Sequence, residues 1–133
     1  MGEPQSLTEL QLSILRVLWE RGSASAAEIT ESLRDTRGLA QQTIATILTR
    51  LEKRGVVTHE TVHRQYIYRA VLKEPDVRQS LLADLTTRVF DGDVAALVSQ
   101  LLSDREMSSG DLMRVKALIA AHEANQGASD DKR

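Results

Sequence analysis

Hydrophobic residues recur at three- and four-residue spacing from Leu10 to Leu51, alternate with polar ones between Val56 and Val71, and return to helical spacing from Val77 onward. This pattern predicts helices, a short β segment, and helices again. In the first stretch Leu10, Ile14, Val17 and Leu18 form one stripe and Leu12, Leu15 and Trp19 a second, so this helix is expected to pack against several elements. A capping box from Ser6 to Glu9 opens it, with Ser6 as N-cap and Thr8 as the competing cap, and Gly22 stops it after about Arg21. Trp19, the one tryptophan, is expected in the core. A second capping box, Ser25-Ala26-Ala27-Glu28, starts a shorter helix that reaches Arg34 or Asp35 with Ile29 and Leu33 inward, and Thr36-Arg37-Gly38 breaks it.

The third helix, residues 40–54, has a narrow apolar stripe of Ile44, Ile47, Leu48 and Leu51. Gln42, Thr46, Thr49, Arg50 and Lys53 gather on the opposite face, with Thr43 at its margin and Glu52 near the apolar edge. Gly55 supplies the stop, and Lys53 and Arg54 lie in the last turn, where cations suit the helix dipole. Two helices, a Gly-containing turn and a third helix with a polar face make a helix-turn-helix. Residues 56–61 and 65–71 are rich in β-branched and aromatic side chains and predict a hairpin whose tip is Val62-His63-Arg64. That tip lacks Gly, Asn or Asp, so the turn is weakly signalled. A hairpin placed there is a wing, and the expected fold is mainly α with a small β-hairpin wing.

Beyond Lys73-Glu74-Pro75 come three helices. Val77, Leu81, Leu82, Leu85, Val89 and Phe90 mark the first; Val94, Leu97, Val98, Leu101 and Leu102 share one face of the second, from Asp93 to Ser103. Leu112, Val115, Leu118 and Ile119 mark the third, capped by Ser108 or Asp111, and residues from Asn125 on read as a frayed tail. The expected domains are a winged helix-turn-helix over 1–72, a helical dimerisation domain over 73–124 and a flexible tail over 125–133. Three helices in about 50 residues bury little core, so their apolar faces are expected to close on a second copy. A homodimer would present two recognition helices to a two-fold-related DNA site. The dimer contacts are expected from Leu81, Leu85, Val89, Val94, Leu97, Val98, Leu101, Leu102, Leu112, Val115 and Ile119.

Charge sharpens this reading. The net charge of −2 divides into +1 over residues 1–72 and −3 over 73–133, while seven cations and two carboxylates fall between Arg37 and Lys73. Such a local excess suits phosphates. The chain has no cysteine, which excludes disulfides and thiolate metal sites, and no apolar run long enough for a membrane span. A cytoplasmic protein without membrane insertion is expected. His59, His63 and Glu60 do not have a spacing that a hairpin brings reliably around a metal, and no phosphate loop, nucleophile elbow or zincin motif occurs. No cofactor, metal or catalytic activity is expected. By side-chain chemistry, Gln41 or Gln42 pairs with adenine, Thr43 and Thr46 meet thymine methyls or phosphate, and Arg50 and Lys53 bind phosphates. Thr49, Arg54 and the tip residues His63 and Arg64 complete the expected DNA-binding set. A winged helix used as a protein–protein module is the competing reading.

The strings LTELQLSILRVLWERG, SAAEI, QQTIATILTRLEKRGVV and YIYRAV, in that order and followed by helices, resemble the penicillinase and methicillin-resistance repressors of the BlaI/MecI type, with CopY-type relatives. The resemblance covers about residues 6–122. It implies a homodimeric winged-helix repressor on a dyad operator, and a membrane sensor pathway that leads to proteolysis within the dimerisation domain. The family's scissile Asn-Phe pair aligns with Gln100-Leu101 here, and the C-terminal cysteine motifs of copper sensing are missing. Ala45 stands where some relatives carry a basic residue, which implies a different operator sequence.

Overall fold

The computed structural model describes residues 7–104 and 107–131. Helix α1, Glu9–Arg21, is followed by strand β1, Ala24–Ser25, and helix α2, Ala26–Ser32. Thr8, not Ser6, is the N-cap of α1: its hydroxyl accepts from Gln11 N and the Gln11 side chain accepts from Thr8 N. The expected Ser6 cap lies outside the described residues. Gln11, three residues after Thr8, completes the reciprocal box. The second box forms as expected, with Ser25 as cap and Glu28 at N3.

The second helix stops earlier than expected. Leu33, at φ −99° and ψ 5°, interrupts it, and a single turn, α3, Arg34–Arg37, occupies the segment expected as a break. Arg37 holds that turn to α1 by donating to Ser13 Oγ and pairing with Glu9. Gly38 follows in the left-handed region, as the break requires.

Helix α4, Gln41–Lys53, buries Ile44, Leu48 and Leu51 completely. These close on Ile14, Leu15 and Leu18 of α1, Ile29 of α2, and Val56 and Val57, in one continuous core. Gly55 at φ 78° lets the chain reverse, and Val56 N donates to Leu51 O to close the helix end. Strands β2, Val57–Val62, and β3, Gln65–Ala70, pair antiparallel, and β1 joins the far side of β3, giving the order β1-β3-β2. The two-residue β1 was not foreseen; its Ala24 and Ser25 pair with Tyr68 and Ile67. Val56 O accepts from Val71 N, and Trp19 Nε1 donates to Leu72 O, so α1 grips the base of the wing. Trp19 packs on the core edge half-buried rather than inside it.

Helices α5, Glu74–Phe90, α6, Val94–Asp104, and α7, Ser109–Asp131, complete the chain. Two compact units result, the first running to Arg88 and the second starting at Val89. Most of α5 thus belongs to the first unit rather than beginning a separate domain at residue 73. Val77 is 1% exposed, and Leu81, Leu82 and Leu85 share a cleft of about 480 Å³ with Leu12 and Trp19 of α1. Asp93 and Ser108 cap α6 and α7 through their side chains, whereas Asp111 lies inside α7. Helix α7 continues through Asp131 instead of fraying at Asn125, because that segment has no proline and its one glycine, Gly127, costs only about 1 kcal/mol.

The Glu28 carboxylate is held below its ordinary pKa, chiefly by the Ser25 backbone N–H; burial, next in size, opposes this, and the Ser25 hydroxyl and the neighbouring Arg21 add to the lowering. A lowered folded-state pKa means that this cap stabilises the fold above the unfolded carboxylate range and loses that contribution as pH falls through the folded value. Urea unfolding of the wild type and Glu28→Gln should therefore diverge most near neutral pH and converge in acid; a constant difference would contradict the ionised cap.

Candidate nucleic-acid interface

Burial of one face of α4 turns the other outward. Gln41, Gln42, Thr43, Thr46, Thr49, Arg50 and Lys53 are all exposed. Thr46 Oγ1 donates to Gln42 O and Thr49 Oγ1 to Ala45 O, each at 3.0 Å. With those protons used inside the helix, both threonines present a methyl group and oxygen lone pairs. That suits thymine methyls or donor edges better than phosphate oxygens. Ala40 precedes the helix without a side-chain cap. Arg50 and Lys53 occupy the last turn and remain available as cations. Arg54 departs from expectation: it is half-buried and its Nη1 donates to Gln11 Oε1 at 3.4 Å, on the α1 side.

At the wing tip the chain turns in two residues, because Val62 still pairs with Gln65 in the ladder. His63 and Arg64 have φ of 49° and 65°, both left-handed. A turn with two left-handed residues matches the twist of the strands, but it favours Asn and Gly and costs other residues roughly 1–2 kcal/mol each. The tip thereby carries two exposed basic-type side chains where stability favours neither.

The tip and the start of α4 come together. Gln41, Ala45, Arg64, Gln65 and Tyr66 border one cleft of about 260 Å³, which Ser25 and Ala26 also line. Sequence reasoning missed Tyr66, which is 53% exposed here. Its position, alternating with Ile67, was the available signal, since Tyr66 and Tyr68 share a strand face. A second feature was also missed. His59 Nδ1 lies 2.7 Å from both carboxylate oxygens of Glu52, and the His59 ring stacks on Tyr66 with centroids 4.0 Å apart. Burial, then the Glu52 charge, raise the pKa of Tyr68 beside them. Among the described residues no three His, Cys, Asp or Glu side chains are grouped to hold a metal, and no helix is long and apolar enough to cross a membrane.

The second unit carries its apolar rows outward. Val94, Val98, Leu101 and Leu102 on α6 and Leu112, Met113, Leu118 and Ile119 on α7 are exposed, as are Leu85 and Val89 on α5. Leu97 is buried, and Leu81 and Val115 are half-buried. Gln100 and Leu101 sit within α6.

A family model described as the penicillinase repressor matches residues 7–121. The penicillinase repressor of Staphylococcus aureus is 22% identical over 106 residues, 80% of this chain and 84% of its own length. That of Bacillus licheniformis is 22% identical over 122 residues, 92% of this chain and 95% of its own. The solution structure of the DNA binding domain of the repressor BlaI has 28% identity and a TM-score of 0.50, over 57% of this chain and 93% of that one. The crystal structure of the Bacillus subtilis protein YusO is alike in fold, with a TM-score of 0.56 over 91% of this chain and 77% of that one at 19% identity.

Replacing His63-Arg64 with Asn-Gly should raise stability by on the order of 1 kcal/mol in urea unfolding while weakening DNA binding. A variant that gains stability and binds DNA unchanged would remove the tip from the interface.

Proposed function

Because the chain belongs to the penicillinase repressor family and is thus a DNA-binding transcriptional repressor rather than an enzyme, we propose that it acts as a homodimer on a two-fold-related operator. The observation that carries the DNA-reading part is α4: one face is sealed in the core, and the opposite face holds amides, threonines and cations beside the wing cleft. A 13-residue helix of that kind fits the DNA major groove. Gln41 or Gln42 is the adenine reader, and Thr43 and Thr46 are the thymine-methyl contacts. Arg50, Lys53 and the tip residues His63 and Arg64 take phosphates. Thr49 borders the face, and Arg54 serves the helix end instead.

Dimerisation is supported by the exposed apolar side chains of α6 and α7 and, separately, of α5, since exposed apolar rows mark interaction surfaces. Repression on this reading is steric, and relief comes from a signal that loosens the dimer. The Gln100–Leu101 bond is the corresponding site for proteolysis, under a sensor pathway acting from the membrane. Cleavage there needs local opening, because both residues lie in a helix whose backbone bonds are made.

A duplex selected from a random library provides the operator. On it, Gln42→Ala should lose about 1–3 kcal/mol and relax specificity at one position, whereas Arg50→Ala should weaken binding to all sequences and flatten the salt slope by about one. Unchanged binding and salt slope in both would exclude α4 as the reader. Separately, Leu101→Asp should shift sedimentation equilibrium from dimer to monomer and abolish two-fold occupancy, with the far-ultraviolet helix signal retained. A persistent dimer would place the interface elsewhere.

A further inference from the structure

The Glu52–His59 contact links the helix proposed to read DNA to strand β2 of the wing. Glu52 is the one carboxylate of α4, and His59 is the third residue of β2. A carboxylate only accepts hydrogen bonds, so His59 Nδ1–H donates to it, at 2.7 Å from either oxygen. The side chains are 32% and 24% exposed, which shields the contact from much of the solvent. On the other side of the His59 ring, Tyr66 stacks at 4.0 Å with the planes 20° apart, and Tyr68 tilts against it at 5.4 Å. Tyr66 in turn borders the cleft shared by Gln41 and Arg64. A continuous line of contacts thus runs from the recognition helix through His59 to the wall of that cleft.

The geometry points to Glu52 and His59 as a positioning pair that sets the tilt of the wing on DNA, and so decides whether Arg64 and Tyr66 reach the backbone beside the bases read by α4. This rests on the DNA-reading role of α4 proposed above. The lever is long enough to matter. From His59 to His63 the strand spans roughly 13 Å, so a tilt of about ten degrees at the anchor moves the tip by roughly 2 Å, more than the tolerance of a hydrogen bond. It also accounts for a carboxylate within an otherwise cationic and amide-bearing helix, where long-range electrostatics alone disfavours it against DNA.

The sign of the Glu52→Ala effect on DNA affinity tells the two roles apart. If Glu52 were only a charge near phosphates, Glu52→Ala would strengthen binding. As a positioning residue it must weaken it, by about tenfold, the scale of one lost DNA contact. Glu52→Gln, which keeps an acceptor for His59 Nδ1–H, should restore most of the affinity, and Tyr66→Phe, which keeps the stack, should stay closer to wild type than Tyr66→Ala. In the Arg64→Ala background the Glu52→Ala loss should shrink, because one of the groups that the anchor places is then gone. Hydroxyl-radical footprints of Glu52→Ala should lose the flanking protection and keep the central one. Equal or tighter binding by Glu52→Ala, or an undiminished loss in the Arg64→Ala background, overturns the proposal. Gln42→Ala, measured alongside, separates the two ideas: if it weakens binding while Glu52→Ala does not, the positioning pair falls and the reader helix stands. If neither weakens binding, both fall.

Discussion

Everything in the first unit depends on the burial of Ile44, Leu48 and Leu51 against α1 and α2. Each is fully removed from solvent, and together they contribute several kilocalories of transfer free energy, on the order of 2 kcal/mol per side chain. A helix anchored so firmly on one side has no rotational freedom left. Its opposite face is therefore presented at a fixed angle, and the side chains there owe nothing to the fold's stability. They are free to be chosen for what they touch outside. The same constraint places Gln41 at the edge of the wing cleft and Arg54 toward Gln11 of α1, although both come from one polar stretch of sequence.

The wing repeats this division of labour in a different geometry. Its base is held by Val56, which accepts from the returning strand, by Trp19 donating to Leu72, and by β1 on the outer edge of β3. Its tip is held by little except the ladder, and it turns through two left-handed residues that lack glycine or asparagine. Strain at the tip sits beside order at the base, so His63 and Arg64 are not the residues that folding alone favours there.

Much of this was legible in the chain. The period of the apolar positions located each long helix and both long strands, and the Ser25 box fixed the start of α2, because those signals are local. Other features needed the assembled structure. Thr8 caps α1 through its reciprocal bonds with Gln11, although Ser6-Leu7-Thr8-Glu9 carries the same local signal. β1 is too short for any period and exists only because β3 offers it an edge. The assignment of α5 to the first unit depended on Leu12 and Trp19 leaving an apolar cleft on α1. Glu52 and His59 are seven residues apart across a helix stop and a strand start, a spacing with no meaning until Gly55 reverses the chain. Of the expected DNA-binding residues, the helix-borne ones could be placed by a wheel alone; Arg54 could not, since at the helix end the turn after it decides where the side chain goes.

A single α4 spans roughly 20 Å at 1.5 Å per residue, and can touch only a few base pairs in a major groove. Discrimination of that size is lost among the competing sites of a genome. Linking two copies multiplies the effect, because the second helix binds at the effective concentration set by the first. If two copies close on the apolar rows of α6 and α7, as proposed above, those rows convert a weak reader into a selective one. They also make release simple. A signal need not touch α4 or the wing; separating the two copies returns each to the short, weakly selective contact that one helix and one wing provide.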